Sequence, residues 1–344
     1  MDKTETPPAR EGIYPWHQEL WAQTVARRQR LSHALLLHGQ AGLGKNAFAL
    51  RLAHWLLCLQ PGDSAACGEC KSCLLLKSGN HPDLQLTRPA EAGKPVAVDQ
   101  VRALGEFVHL RPHIAPCKVV VLTPAEAMNV HAANSLLKVL EEPPPQNTLI
   151  LVSHNIARLP VTVRSRCAGL LFRAPSREPA LDWLRRRAPD ADAGLMLALA
   201  GGAPLTALER AGAGFAALRQ EWLADVLALA EGRTNPLDCA GRWKEQGAEP
   251  ALGWFHGLLA DLVRLALAGP GEAGLANPDQ ATQLQDLGKR LNLRHLLHFY
   301  DSVSETRRLL ETPLDKQLLI EDTLIGWERL SGPARGGHRH GAGA

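Results

Sequence analysis

The stretch Gly39-Gln40-Ala41-Gly42-Leu43-Gly44-Lys45-Asn46 constrains this chain more than any other. It fits the pattern G-x-x-x-x-G-K. It follows the short apolar run at residues 35–38 and opens a helical pattern that continues from Asn46 to Leu57. A strand, a glycine-rich turn and a helix in that order make a phosphate-binding loop. Glycines let backbone N–H groups face phosphates, and the helix N-terminus adds a favourable potential. Lys45 would reach the outer phosphates. The next position should be Ser or Thr, whose hydroxyl ligates Mg²⁺. Here it is Asn46, a poorer partner for a hard cation. Two readings stand at this point. Gly39, Gly42, Gly44, Lys45 and Asn46 form a nucleotide site, or the loop survives only as a structural turn.

The rest of the pattern is α/β in its first half. Lys118–Leu122 (KVVVL) is a short β-branched run bounded by Pro116 and Pro124, and Leu149–Val152 is another. Residues 98–109 and 126–141 read as helices, the second ending at Pro143-Pro144-Pro145, since proline cannot continue a helix. Strands alternating with helices imply a parallel sheet with flanking helices. Beyond about residue 174 the strand signals stop. The expected organisation is a sheet domain at 1–174, a small helical lid at 175–212, a helical domain at 213–332, and a disordered Gly-rich tail at 333–344. Trp222, Trp254 and Trp327 lie on apolar stripes of the helical part and read as core or subunit-contact residues.

Two further features bear on chemistry. A P-loop enzyme that hydrolyses its nucleotide carries Asp-Glu at the end of the second buried strand, to hold Mg²⁺ and orient water. Lys118–Leu122 is followed instead by Thr123-Pro124, and Glu126 lies too far past the proline to replace them. Asn46 and Thr123 therefore argue together against hydrolysis by this chain. The second feature is Cys58, Cys67, Cys70 and Cys73, four thiols within 16 residues. That spacing predicts a tetrahedral Cys₄ site for structural zinc, closed to water and so without catalysis. Cys117, Cys167 and Cys239 are isolated and read as ordinary buried or half-buried thiols.

Composition excludes some classes. The net charge is +3, too small for a protein held to DNA by its own field. Arg27, Arg28 and Arg30, and Arg185 to Arg187, read as solvated helix faces. The N-terminal residues lack the apolar core of a signal peptide, and no apolar run approaches the roughly 20 residues of a membrane span. The expectation is a cytoplasmic protein with no membrane contact. A zinc-dependent nucleic-acid binder is disfavoured, because the cysteine loop offers only Lys71 and Lys77 as cations and no aromatic for base stacking. A standalone ATPase or kinase is disfavoured by Thr123-Pro124.

Taken together, HALLLHGQAGLGK (33–45), the four-cysteine loop, NSLLKVLEEPP (134–144) and LPVTVRSRC (159–167) resemble the clamp-loader family of AAA+ proteins. The likeness is strong over residues 13–175 and weak over the helical remainder. The resemblance implies that Ser165-Arg166-Cys167 carries a trans-acting arginine, Arg166, which completes the ATP site of a neighbouring subunit. The family's ATPase form, tau/gamma, has Asp-Glu after the second strand and an Arg in a Gly-Ser-x-Arg motif. This chain has Thr123-Pro124 and Gly201-Gly202-Ala203-Pro204, so it resembles the non-hydrolysing form; the alternative is an active loader ATPase of the tau/gamma kind. The implied partners are the tau/gamma and delta subunits of a hetero-oligomer and, through that assembly, the sliding clamp and primer–template DNA. ATP, if bound here, would not be hydrolysed. The implied setting is the replisome at the nucleoid, within a DNA-directed DNA polymerase holoenzyme.

Overall fold

The computed structural model describes residues 13–332, apart from 92, 213, 269–273, 311 and 313; the expected tail at 333–344 lies outside the described residues. Five strands form one parallel sheet: β1 (Ala34–His38), β2 (Leu84–Thr87), β3 (Lys118–Leu122), β4 (Asn147–Ser153) and β5 (Ala168–Leu171), in the order β2-β3-β4-β1-β5. β1, which leads into the glycine loop, sits between β4 and β5. That is the arrangement of an AAA+ module.

The helices of this part are α1 (Gln18–Ala26), α2 (Lys45–Leu57), α3 (Lys71–Lys77), α4 (Val98–His109), α5 (Val130–Glu141) and α6 (Val161–Arg164). Side chains alternate across a strand, so each strand feeds both faces of the sheet. Leu35, Leu37, Val119, Val121, Ile150 and Val152 pack on one face with Phe48, Leu52 and Trp55 of α2. Leu36, Val120, Leu122, Leu149 and Leu151 pack on the other with Leu104 of α4 and Leu136 and Leu140 of α5. Burial on both faces explains why the central strands read as unbroken apolar runs. The edge strands β2 and β5 are short and more exposed, which is why the sequence does not announce them. The helix expected at 126–141 begins later. Ala125–Ala127 forms a separate 3₁₀ turn, and the Asn129 side chain caps α5 by accepting from the Ala132 N–H at 2.8 Å.

The chain divides into two compact units, Met1–Trp183 with Ala203–Thr206, and Leu184–Gly202 with Ala207–Ala344. The remaining helices are α7 (Arg177–Arg187), α8 (Ala193–Leu199), α9 (Pro204–Gly212), α10 (Phe215–Ala230), α11 (Pro236–Ala268), α12 (Ala281–Gly288), α13 (Leu293–Leu309) and α14 (Lys316–Ser331). The second unit is built around α11, whose Trp243, Trp254 and Phe255 form ring contacts with Trp222 of α10 and Trp327 of α14. By length and composition α11 is apolar enough to cross a membrane, but half of its most apolar window is buried inside the unit, as in a core helix. Gly247 (φ 116°) breaks it three residues before Pro250, whose ring would block a regular helix there. Asp261 of α11 is fully buried and accepts from the backbone N–H groups of Ala276 and Asn277, which fixes those two residues against the helix.

Candidate functional site

Gly44 (φ 89°) is the N-cap of α2, and Gly42 (φ 72°) precedes it in the same left-handed region. The loop is closely backed. A Cβ on Gly42 would stand 2.0 Å from the Thr206 hydroxyl, and one on Gly44 would stand 2.6 Å from the Tyr14 ring. Lys45 is 1% exposed, and its ammonium donates to the loop's own carbonyls, Gly39 O at 2.6 Å and Gln40 O at 2.5 Å. Asn46 Oδ1 accepts from the Thr123 hydroxyl at 2.7 Å. The two positions that would ligate Mg²⁺ in a hydrolysing site are thus joined by a neutral hydrogen bond. Glu126 is committed elsewhere, accepting from the His154 and Asn155 N–H groups at 2.7 and 3.1 Å.

The segment just before α1 closes over this loop, a feature the sequence reading did not single out. Tyr14 stacks on Trp16 at 4.9 Å, Trp183 stands edge-on to both, and the Trp16 indole donates to Leu43 O at 3.0 Å. His17 is 3% exposed and meets Phe48 and Phe172 edge-on. Burial, followed by the nearby Lys45 ammonium, pushes His17 down to about 4 despite its bond to Leu43. It is therefore neutral near pH 7. The available signal was the density of aromatic side chains in Tyr14-Pro15-Trp16-His17.

The four cysteines converge. Their sulfurs all lie within 4.8 Å of one another, with pairs at 3.5 (Cys58–Cys67), 3.6 (Cys58–Cys73) and 3.9 Å (Cys58–Cys70 and Cys67–Cys73). A tetrahedron of Zn–S bonds near 2.3 Å places its sulfurs about 3.8 Å apart, so the set fits a zinc-sized ion. Local structure explains the convergence. Cys58 caps the C-terminus of α2, Cys70 is the N-cap of α3, and Cys73 lies in the first turn of α3. Backbone N–H groups of Cys67, Cys70 and Cys73 point at the sulfurs of Cys58, Cys67 and Cys70, at 3.3, 3.4 and 3.5 Å. At Cys70 burial opposes the thiolate, but N–H groups of Cys73 and Leu59 outweigh it and bring the thiol down to about 6. Burial pushes Cys73 up to about 12, a cost that a cation among the sulfurs would remove. Behind the ligands, the Ser72 hydroxyl donates to Leu57 O at 2.6 Å and contacts His81 Nε2 at 2.8 Å; His81 Nδ1 accepts from the Asp83 N–H at 3.0 Å. That pattern assigns the proton of a neutral His81 to Nε2.

Arg166 follows α6. Val163 is fully buried before it, and Cys167, after it, packs against the core, its thiol pushed up to about 11 by burial. The flanking residues fix the backbone while the Arg166 side chain is 36% exposed. Its guanidinium donates to Thr162 O at 3.0 Å and Ser165 Oγ at 3.3 Å, and pairs with Glu141 at 2.7 Å. Arg166 precedes the N-terminal end of β5, where Ala168 lies beside Leu35; the glycine loop follows the other end, where Leu171 lies beside His38. Four residues of strand, about 13 Å, separate the two. The sheet thus holds Arg166 away from this chain's own phosphate loop.

A parallel sheet of this order, a glycine loop leading from β1 into α2, a Cys₄ cluster and an arginine at the opposite strand ends define an AAA+ module. The family model for "DNA polymerase III, delta subunit" matches residues 17–176, and that for its C-terminal part matches residues 213–329. The DNA polymerase III subunit delta′ of Pseudomonas aeruginosa is 40% identical over 326 residues, covering 93% of this chain and 99% of that protein. The Escherichia coli K12 subunit delta′ is 31% identical, covering 93% and 96%. Among solved structures, a gamma subunit-related DNA polymerase III protein from Thermotoga maritima aligns at 15% identity and a TM-score of 0.42, covering 90% of this chain and 99% of that one. The chain belongs to the delta′ family of DNA polymerase III subunits.

Proposed function

We propose that this chain is a non-hydrolysing AAA+ subunit of a DNA polymerase III clamp loader. In this reading it assembles with tau/gamma ATPase subunits and a delta subunit, and the assembly places the sliding clamp on primer–template DNA in the cytoplasm. Residues 175–212 act as a lid, and the helices of 213–332 join the collar that holds the subunits together. Arg166 reaches the ATP site of the adjacent ATPase subunit and stabilises charge on its transferring phosphoryl group. Cys58, Cys67, Cys70 and Cys73 hold a structural zinc ion.

One observation carries the non-hydrolysing part: the hydrogen bond between Asn46 and Thr123, where an active site would hold Mg²⁺ between a hydroxyl and a carboxylate. The enclosed Lys45, bonded to its own loop, supports a phosphate loop kept for structure rather than for nucleotide. The same two facts weigh against an active tau/gamma-like ATPase. The location of Arg166 at the strand ends opposite the loop supports action on a neighbour.

The test is Arg166→Ala in the reconstituted clamp loader. The variant chain should keep its melting temperature and enter the complex, and DNA-stimulated ATPase should fall. A finger contributes roughly 10³–10⁵ in rate to the one site it serves, so the total loss is smaller, because the other sites draw on other chains. Arg166→Lys should rescue only in part, since an ammonium lacks the planar fork. Unchanged ATPase in an assembled complex would overturn the finger role.

A further inference from the structure

Among the contacts of Arg166, two are local. Thr162 O lies four residues back and Ser165 Oγ one residue back, both in the same turn. The third comes from 25 residues away: Glu141, the last residue of α5. We infer that Glu141 is the positioning residue for Arg166, the side chain that aims the guanidinium out of this subunit; this rests on the finger role proposed above.

The argument starts from freedom. A free arginine side chain samples many rotamers, and a charge-stabilising group works only when held close to its productive geometry. Contacts from its own turn move with the turn. Glu141 instead ties the guanidinium to a helix whose Leu136, Val139 and Leu140 are buried against the sheet. The tether thereby refers Arg166 to the rigid body of the module. These contacts engage three of the five N–H groups, two on Nη1 and one on Nη2, and leave two for a phosphate. Glu141 also supplies the counter-charge that keeps the cation in one place before a partner arrives.

The size of the effect follows from exposure. The two side chains are 36% and 50% exposed, and exposed ion pairs contribute about 0.2–1 kcal/mol. Loss of the tether should thus lower the rate at the served site by roughly 1.4- to 5-fold, far less than loss of Arg166 itself.

The experiment places Glu141→Ala, Glu141→Gln, Arg166→Ala and the double variant in the complete clamp loader and measures DNA-stimulated ATPase against ATP concentration. Glu141→Ala should lower turnover at the served site by roughly 1.4- to 5-fold, and kcat of the whole complex by less, with little change in KM and no change in the melting temperature of the chain. Glu141→Gln, which keeps an acceptor oxygen, should recover part of the loss. In the Arg166→Ala background, Glu141→Ala should do nothing more. A Glu141→Ala complex as fast as the wild type, or faster, with Arg166→Ala still defective, would overturn the positioning role and leave the finger intact. A faster complex would mean that Glu141 competes with the phosphate. Normal ATPase in Arg166→Ala would overturn both. An effect of Glu141→Ala that persists without Arg166 would show that it acts through another contact.

Discussion

His17 lies against the phosphate loop with its imidazole enclosed by Phe48, Phe172 and Tyr14, and its burial sets a pH dependence. The unfolded chain binds a proton near pH 6.5, whereas the folded one binds it only near 4. The folded state thus resists protonation. The stability it carries is full above about pH 6.5, declines as the pH falls, and is lost by about pH 4. Between pH 7 and pH 5 the decline attributable to this group is on the order of 2 kcal/mol. His17→Phe removes the titrating group, so its urea midpoint should fall less than that of the wild type over the same interval. Equal declines in the two proteins would refute this origin. Glu141 makes the same point about single residues. As part of NSLLKVLEEPP it reads as one of two acids at a helix end, and only the meeting of α5 with the turn after α6 gives it a partner.

At the scale of elements, the cysteine loop is a small module hung between α2 and α3. Burial alone would leave Cys73 protonated, so an ion joining the sulfurs would stabilise the module. Purified protein prepared without chelator should contain about one zinc per chain. Cys70→Ser should release it and lower the melting temperature of the first unit by roughly 2–4 °C for each kcal/mol lost, because metal binding and folding share the same free energy. The helical second unit, which has its own tryptophan core, should keep its far-UV signal. Metal-free wild-type protein with an unchanged melting curve would exclude a structural ion. The Ser72–His81–Asp83 chain behind the loop had no signature in sequence, since Ser72 of α3 meets His81 and Asp83 only when the connection from α3 to β2 folds back on the helix. Spacing made the four cysteines legible; nothing comparable marks a hydrogen-bond relay.

For the whole molecule, the central expectation is that this chain turns over no ATP alone. Its rate should equal that of Lys45→Met, with both proteins checked for folding. A lysine-dependent rate of order 1 per second, ordinary for an enzyme, would contradict it. What the sequence determined by itself is what depends on local pattern. The phosphate-loop turn needs glycine at left-handed positions, the central strands need unbroken apolar runs because both their faces are buried, and the cysteines need close spacing to meet. The end of α5 before the proline block belongs here too. What only the tertiary structure decided depends on which distant segments come together. Edge strands β2 and β5 exist because β3 and β1 offer them hydrogen bonds, although their own residues carry little strand signal. The late start of α5 follows from Asn129 supplying a cap that outcompetes continuation of the turn before it. The aromatic closure over Gly44, the bond that joins Asn46 to Thr123 and the tether from Glu141 to Arg166 all link residues from separate elements. The parallel sheet brings those elements together, and nothing local in the chain encodes the meeting.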